Sequence, residues 1–278
     1  MSADTDPGAL GRLGSRLWFY SNYHCNLQCS YCLTESAPGV ARRQLTADQI
    51  RDAARDGREL GFDSFGITGG EPFLHDELIE IVADLAAQAP TLILSNATVF
   101  TPARLRRMEA WAGLPVEIQI SLDHPEPDVN DEMRGPGNFR KVVEAIPRLI
   151  DLGIGVRIAT TLEDPENADP DEMDRLCALH RSLGVPDSHH VVRPIIHRGR
   201  AVGNTLGRDV VFDDFEPELT LTADGAFATP FGPTVRGGRL DTDLLVTRAT
   251  APLSVPVAAL MRAAGEAPAG DDARTGIR

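Results

Sequence analysis

Three of the chain's four cysteines, Cys25, Cys29 and Cys32, stand within eight positions in the segment NYHCNLQCSYCLTES (22–36). An odd cluster cannot be used up by internal disulfides, and thiolates are soft ligands for zinc or iron–sulfur clusters. A structural zinc would need a closed set of four ligands, for which His24, adjoining Cys25, is the nearby candidate. A redox dithiol would use Cys29 and Cys32 and leave Cys25 idle. Three thiolates on a cubane cluster leave one iron free to bind a substrate or cofactor. The open cluster gives all three cysteines a role without calling on a fourth protein ligand.

Other segments carry polar residues where strands are expected to end. TGGEPFLH (68–75) reads as a glycine turn closed by Pro72, and glycine also lets backbone approach a ligand closely. LSNAT (94–98) offers Asn96, as a ligand contact or a turn residue. QISLDHPEPDVNDEMRG (119–135) offers Ser121 and Asp123 in a strand-end turn, with Arg134 as a planar fork for a carboxylate. RIATTLED (157–164) adds Thr160 and Thr161. In VVRPIIHRGRA (191–201), Arg198 and Arg200 either meet an anionic substrate group or are solvated loop charges, and the second is expected.

These residues hang on an alternation of short apolar runs and amphipathic stretches. Strands are expected at 17–21, 64–68, 91–95, 116–121, 155–160 and 190–195. Helices are expected at Thr46–Leu60, Asp76–Gln88, Pro102–Trp111, Phe139–Asp151 and Asp171–Leu183, their apolar residues recurring three or four apart. Thr46 with Gln49 has the form of a capping box. Six strands alternating with helices imply a parallel α/β sheet, either doubly wound or a partial barrel, and sites in such folds lie at the strand C-termini. After Gly199 the alternation stops. ELTLTADGAFATPF (218–231) reads as a hairpin, a short helix is expected near Val255–Ala264, and the tail 265–278 is expected to be disordered, like the segment 1–16.

The CxxxCxxC loop with Tyr31 before its third cysteine resembles the signature of the radical S-adenosylmethionine (radical SAM) superfamily, and the resemblance extends over Trp18–Ala201. It implies a partial (β/α)6 barrel over 17–198 with a short C-terminal extension over 199–264. It implies that Cys25, Cys29 and Cys32 bind a [4Fe–4S] cluster whose open iron chelates the methionine part of SAM, with Tyr31 beside the adenine. Gly69, Gly70, Glu71 and Pro72 match the family's Gly-Gly-Glu-Pro segment, which contacts the methionine amino group. Asn96 matches a Thr-Asn-Gly segment in which Ala97 replaces the glycine. Ser121 and Asp123 match the side chains that hold the ribose or the methionine carboxylate, and Arg134 matches the arginine of a following Arg-Gly. The implied chemistry is reductive cleavage of SAM to a 5′-deoxyadenosyl radical, which takes a hydrogen atom from a small-molecule or peptide substrate. A flavodoxin- or ferredoxin-like protein would donate the electron.

The chain also departs from its resemblance. Members with a SPASM or twitch extension hold auxiliary clusters on further cysteines, and residues 199–278 contain none. One cluster and a redox-neutral outcome are therefore expected. Cys177 is expected to be a buried helix cysteine rather than a hydrogen-atom donor. The segment before the first strand is too short for a peptide-leader recognition domain, so a peptide would be bound by the barrel or a separate partner. Composition agrees: 42% hydrophobic and 24% charged residues fit a globular enzyme, and the net charge of −14 argues against nucleic acid or an anionic membrane. With no long apolar run and no signal-peptide pattern, a cytoplasmic location is expected. Rival classes are a non-catalytic iron–sulfur protein that keeps the barrel, and a thiol oxidoreductase using Cys29 and Cys32.

Overall fold

The computed structural model describes residues 13–210, 216–230, 232–236 and 239–265. The expected disordered tail, from 266 on, and most of the expected flexible N-terminal segment lie outside the described residues. Six strands, β1 (Arg16–Tyr20), β2 (Ser64–Thr68), β3 (Thr91–Ser95), β4 (Val116–Ser121), β5 (Gly155–Leu162) and β6 (His190–Pro194), pair in parallel, each with the next. All lie within about two residues of the expected runs. Between them run α1 (Ala47–Glu59), α2 (Leu78–Ala86), α3 (Pro102–Met108), α4 (Pro127–Arg134), α5 (Asn138–Asp151) and α6 (Pro170–Ser182). The sheet does not close: β6 is an edge strand, so the barrel is partial.

Local chemistry explains the helix boundaries. Thr46 and Gln49 form the capping box that starts α1, and Ile50, Ala53, Ala54 and Gly57 supply its buried stripe. The expected helix at Asp76–Gln88 is shorter, because Pro72–Leu74 forms a 3₁₀ turn and regular helix begins at Leu78. Helix α4 is not visible in the hydrophobic pattern. Its buried residues are Asn130 and Arg134, polar groups held by hydrogen bonds and an ion pair instead of apolar packing.

The C-terminal part continues the same sheet. After α7 (Arg200–Gly203), strand β7 (Thr220–Thr222) pairs in parallel with β1, and β8 (Gly225–Phe227) returns antiparallel, forming the expected hairpin. A small ladder of β9 (Val235–Arg236) and β10 (Arg239–Leu240) precedes β11 (Leu245–Thr247), which pairs with β8. Helix α8 (Ser254–Ala263) follows. Leu221, Ala226, Val246, Leu253 and Leu260 join the apolar cluster that contains Leu17, Phe19, Phe65 and Ile67. The segment after 199 thus completes the barrel's core on the free side of β1. Among the described residues no helix is long and apolar enough to cross a membrane.

Outside the barrel, α6 packs on β6 through a histidine pair. His180 is 1% exposed, with both ring nitrogens unpartnered among the described residues, and it meets His190 edge-on at 4.6 Å. Thr160 Oγ1 donates to the Leu122 carbonyl, so His190 Nε2, 2.8 Å away, carries the proton between them. Cys177 is half-buried rather than buried, because its sulfur lies 3.7 Å from His190 Nδ1 instead of in the apolar stripe.

Two outcomes follow from this packing. Phe227→Ala is expected to cost about 3–5 kcal/mol in urea unfolding and to leave a single transition, because Phe227 is fully buried in the shared sheet; a separate early transition for the C-terminal segment would contradict it. Burial, with His190 adding to it, lowers the His180 pKa to about 4. The folded pKa lies below the unfolded value near 6.5, so the unfolded chain protonates first and stability falls as pH drops from about 6.5 to about 4, by up to roughly 3 kcal/mol. His180→Leu should flatten that slope in unfolding curves taken at several pH values.

Candidate functional site

The cysteine loop leaves β1 at the C-terminal edge of the sheet and is strapped down by backbone. Asn22 Nδ2 donates to the Glu71 carbonyl at 2.9 Å, the Gly70 amide to the Asn22 carbonyl at 2.8 Å, and the Glu71 amide to the His24 carbonyl at 3.0 Å. A methyl on Gly70 would run into the His24 carbonyl, so this position needs glycine for close approach. Gly69 and Gly70 line the cavity beside the loop, whereas Glu71 and Pro72 do not.

Glu71 turns inward and is fully buried. Its Oε1 accepts from the Phe73 amide (3.1 Å) and Ser95 Oγ (2.9 Å), and its Oε2 from the Asn96 amide (2.8 Å). Burial pushes its pKa up, against the pull of these donors. The carboxylate thereby ties the end of β2 to the end of β3. Asn96, so placed, directs Nδ2 toward Cys25 Sγ at 3.5 Å and Asn26 Oδ1 at 3.1 Å. Ala97 takes φ +57°, a conformation that suits glycine better.

Asp123 does the same between β4 and β5. It is fully buried; Oδ1 accepts from the Thr161 amide at 2.9 Å, and Oδ2 from Arg134 Nη1 at 3.1 Å and from the Tyr31 hydroxyl. Arg134 also donates to the Tyr31 oxygen. Burial raises the Tyr31 pKa well above its usual value, which keeps the phenol protonated as a donor. The end of α4 touches the loop directly, since the Ser30 amide donates to the Met133 carbonyl at 2.9 Å. Asp123 therefore holds Tyr31, Arg134 and the Thr161 backbone, while Ser121, Tyr31, Arg134 and Thr161 line the cavity.

Arg198 and Arg200 are not solvated loop charges. Arg200 donates from Nη1 to the Cys29 carbonyl (2.6 Å), from Nη2 to the Ser36 carbonyl (3.0 Å) and from its amide to the Cys32 carbonyl (2.9 Å). Arg198 pairs with Asp243 and donates to Thr234 Oγ1 at 2.9 Å, tying the start of α7 to the C-terminal segment. Gly199, at φ +57°, sits against the Cys32 and Leu33 carbonyls where a Cβ would not fit. The sequence signal for this clamp is the Gly-Arg pair itself, because glycine immediately before a guanidinium permits contact with backbone.

All three cysteines face one cavity of about 840 Å³. Cys25 is buried, and burial, with the nearby Glu71 charge, raises its pKa to about 12; burial also raises that of Cys29. Coordination to a metal removes the proton from such thiols outright. Among the described residues no three His, Cys, Asp or Glu side chains converge on one ion. Cys25, Cys29 and Cys32 border the same cavity, and three thiols are a donor set that fits an iron–sulfur cluster. The Leu27 amide (3.4 Å) and Asn96 Nδ2 already point at Cys25 Sγ, as donors to a ligating sulfur would. Cys177 does not line the cavity.

Comparison with known proteins agrees with this geometry. The profile of the Radical SAM superfamily matches residues 20–177. A probable GTP 3′,8-cyclase of Pyrobaculum aerophilum is 29% identical over 176 residues, 63% of this chain and 56% of the relative. The mycofactocin maturase MftC of Mycolicibacterium smegmatis is 30% identical over 196 residues, 70% of this chain and 46% of the relative. The chain thus spans about half the length of these relatives. Among solved structures, Streptococcus suis SuiB bound to S-adenosylmethionine superposes with a TM-score of 0.59 at 17% identity, over 72% of this chain and 44% of that one. HydG, a maturase of the [FeFe]-hydrogenase, gives 0.54 at 15%, over 74% and 50%. At such identities these two likenesses are of fold.

The arginine clamp can be tested in the metal-free protein. Arg200→Ala removes two donors to loop carbonyls, worth roughly 1–3 kcal/mol, so alkylation of Cys29 and Cys32 by iodoacetamide should quicken about tenfold while Cys177 is unaffected. Unchanged rates would show that the loop is held without Arg200.

Proposed function

This chain belongs to the radical SAM superfamily, and from that premise we propose that Cys25, Cys29 and Cys32 hold a [4Fe–4S] cluster beside a cavity that takes SAM and a peptide or small-molecule substrate. Enzymes of the family use that cluster and SAM, and this chain is one of them. The observation that carries the site assignment is the opening of all three thiols onto one cavity, next to a glycine pair whose backbone is exposed to a ligand. When bound, cluster and SAM supply one-electron cleavage of the sulfonium and abstraction of a hydrogen atom from the substrate.

The chain's own residues hold the reactants. Gly69 and Gly70 offer backbone at the height of the cluster, where the methionine amino group of SAM would lie. Ser121 and Arg134 supply a hydroxyl and a guanidinium for the ribose and the carboxylate, with Asp123 fixing Arg134 from behind. Tyr31 would border the adenine, and Asn96 donates toward Cys25. Glu71 and Pro72 act through the turn they build. A cavity of about 840 Å³ falls in the upper part of the range for small-molecule sites and has room for a cofactor and part of a substrate.

A peptide substrate is favoured by the maturase relative MftC and by the fold neighbour SuiB, which has been solved with its precursor peptide SuiA. The GTP cyclase relative supports a small molecule in the same place. A flavodoxin- or ferredoxin-like protein would supply the electron. Residues 178–278 carry no cysteine and so supply no thiolate for a second cluster, which fits a redox-neutral outcome.

Anaerobic reconstitution with iron and sulfide, followed by dithionite and SAM, should yield about four irons per chain and form 5′-deoxyadenosine. Replacing the three cysteines by alanine should reduce that product to background. Product formation by the triple variant would overturn the assignment, and iron well above four would overturn the single-cluster reading.

A further inference from the structure

Several arginines line the cavity. Arg157 on β5 and Arg193 on β6 both line it, next to Arg134 at the end of α4. Arg134 is neutralised by Asp123 at 3.1 Å, and Arg157 reaches Glu117 only at 3.6 Å. Arg193 makes no hydrogen bond or ion pair among the described residues. The Nε–H groups of Arg134 and Arg157 are buried and likewise unpartnered among the described residues. Burial lowers the Arg193 pKa, Tyr31 and the Asp123 carboxylate work against that shift, and the charges of Arg157 and Arg134 add to it.

A desolvated guanidinium whose neighbours include two other guanidinium groups is costly unless an anion joins them. Arginine's fork matches the two oxygens of a carboxylate or phosphate, and both side chains border the cavity. Since Arg134 already lies beside the cysteine loop, Arg157 and Arg193 extend the positive wall from it onto β5 and the edge strand β6.

We infer that Arg157 and Arg193 form an oxyanion subsite that anchors a carboxylate or phosphate group of the substrate in the cavity that the cysteines line. The inference rests on the cavity being the SAM and substrate site. It narrows the substrate to an anionic class, either a phosphate ester or a molecule or peptide bearing a free carboxylate. A neutral substrate would leave Arg193 without a partner among the described residues and Arg157 with only its 3.6 Å pairing to Glu117.

The test uses the reconstituted protein saturated with SAM, titrated calorimetrically with pyrophosphate and, separately, with succinate. The expected result is millimolar or tighter binding of at least one probe. Arg157→Gln and Arg193→Gln should each weaken it by about tenfold or more, Arg193→Lys should weaken it less, and SAM affinity should change less than about twofold. Tighter pyrophosphate points to a phosphate ester, tighter succinate to a carboxylate, and either supports the subsite. Absence of binding by both probes, equal binding by the Gln variants, or loss of SAM affinity in place of anion affinity would each overturn it. The last would assign the arginines to the SAM carboxylate. Circular dichroism checks that the variants fold, and the Lys variant carries the test if a Gln variant does not. The wild-type 5′-deoxyadenosine assay and the same titration on metal-free protein read out the cluster assignment separately, so failure of one reading is not mistaken for failure of the other.

Discussion

Two carboxylates without access to water govern the architecture of the site. A buried ionised carboxylate must have its oxygens satisfied by donors, or its charge is not tolerated. Glu71 meets that demand with the Phe73 amide, the Ser95 hydroxyl and the Asn96 amide, and Asp123 with Arg134, the Tyr31 hydroxyl and the Thr161 amide. The donors come from the neighbouring strand end, the cysteine loop, the turn after β2 and the end of α4. The carboxylates therefore lace together strand termini that a parallel ladder alone would leave frayed, and they orient the side chains that do face the cavity.

The cysteine loop is held by what this lacing presents. Backbone of the glycine turn zips to one limb of the loop, the end of α4 touches its middle, and Arg200 on α7 clamps its far side. Contacts from three directions fix the loop backbone while the sulfurs stay turned to the cavity. Fixed ligands and adjacent N–H donors are what a cluster site requires, since outer contacts set sulfur orientation and tune the metal. The C-terminal hairpin contributes at a distance by covering the free edge of β1, from which the loop departs.

Much of this was legible in the chain. The strands were readable because buried parallel strands are short, apolar and bounded by turn residues, and the CxxxCxxC spacing drew the three thiols together. Helix α4 escaped notice because periodicity detects apolar faces, and the buried face of this helix carries Asn130 and Arg134. The inward turn of Glu71 and Asp123 was equally hidden: spacing places a residue at a strand end but does not decide whether its carboxylate faces ligand or scaffold. Arg200 looked like a loop charge because its partners are carbonyls far earlier in sequence, which carry no side-chain signature. The arginines of the cavity wall were invisible for a related reason, since Arg157 and Arg193 belong to different strands and the β5–β6 pairing sets Arg193 beside Thr161.

The central claim is that three thiolates of one rigid loop leave a single iron exposed beside Gly69 and Gly70. Low-temperature electron paramagnetic resonance of the dithionite-reduced, reconstituted protein, recorded with and without SAM, tests it most directly. The account predicts a reduced-cluster signal whose g values shift when SAM is added, because the ligand joins the open iron. A cluster signal indifferent to SAM, or no cluster signal at all from protein that has taken up iron, would contradict it.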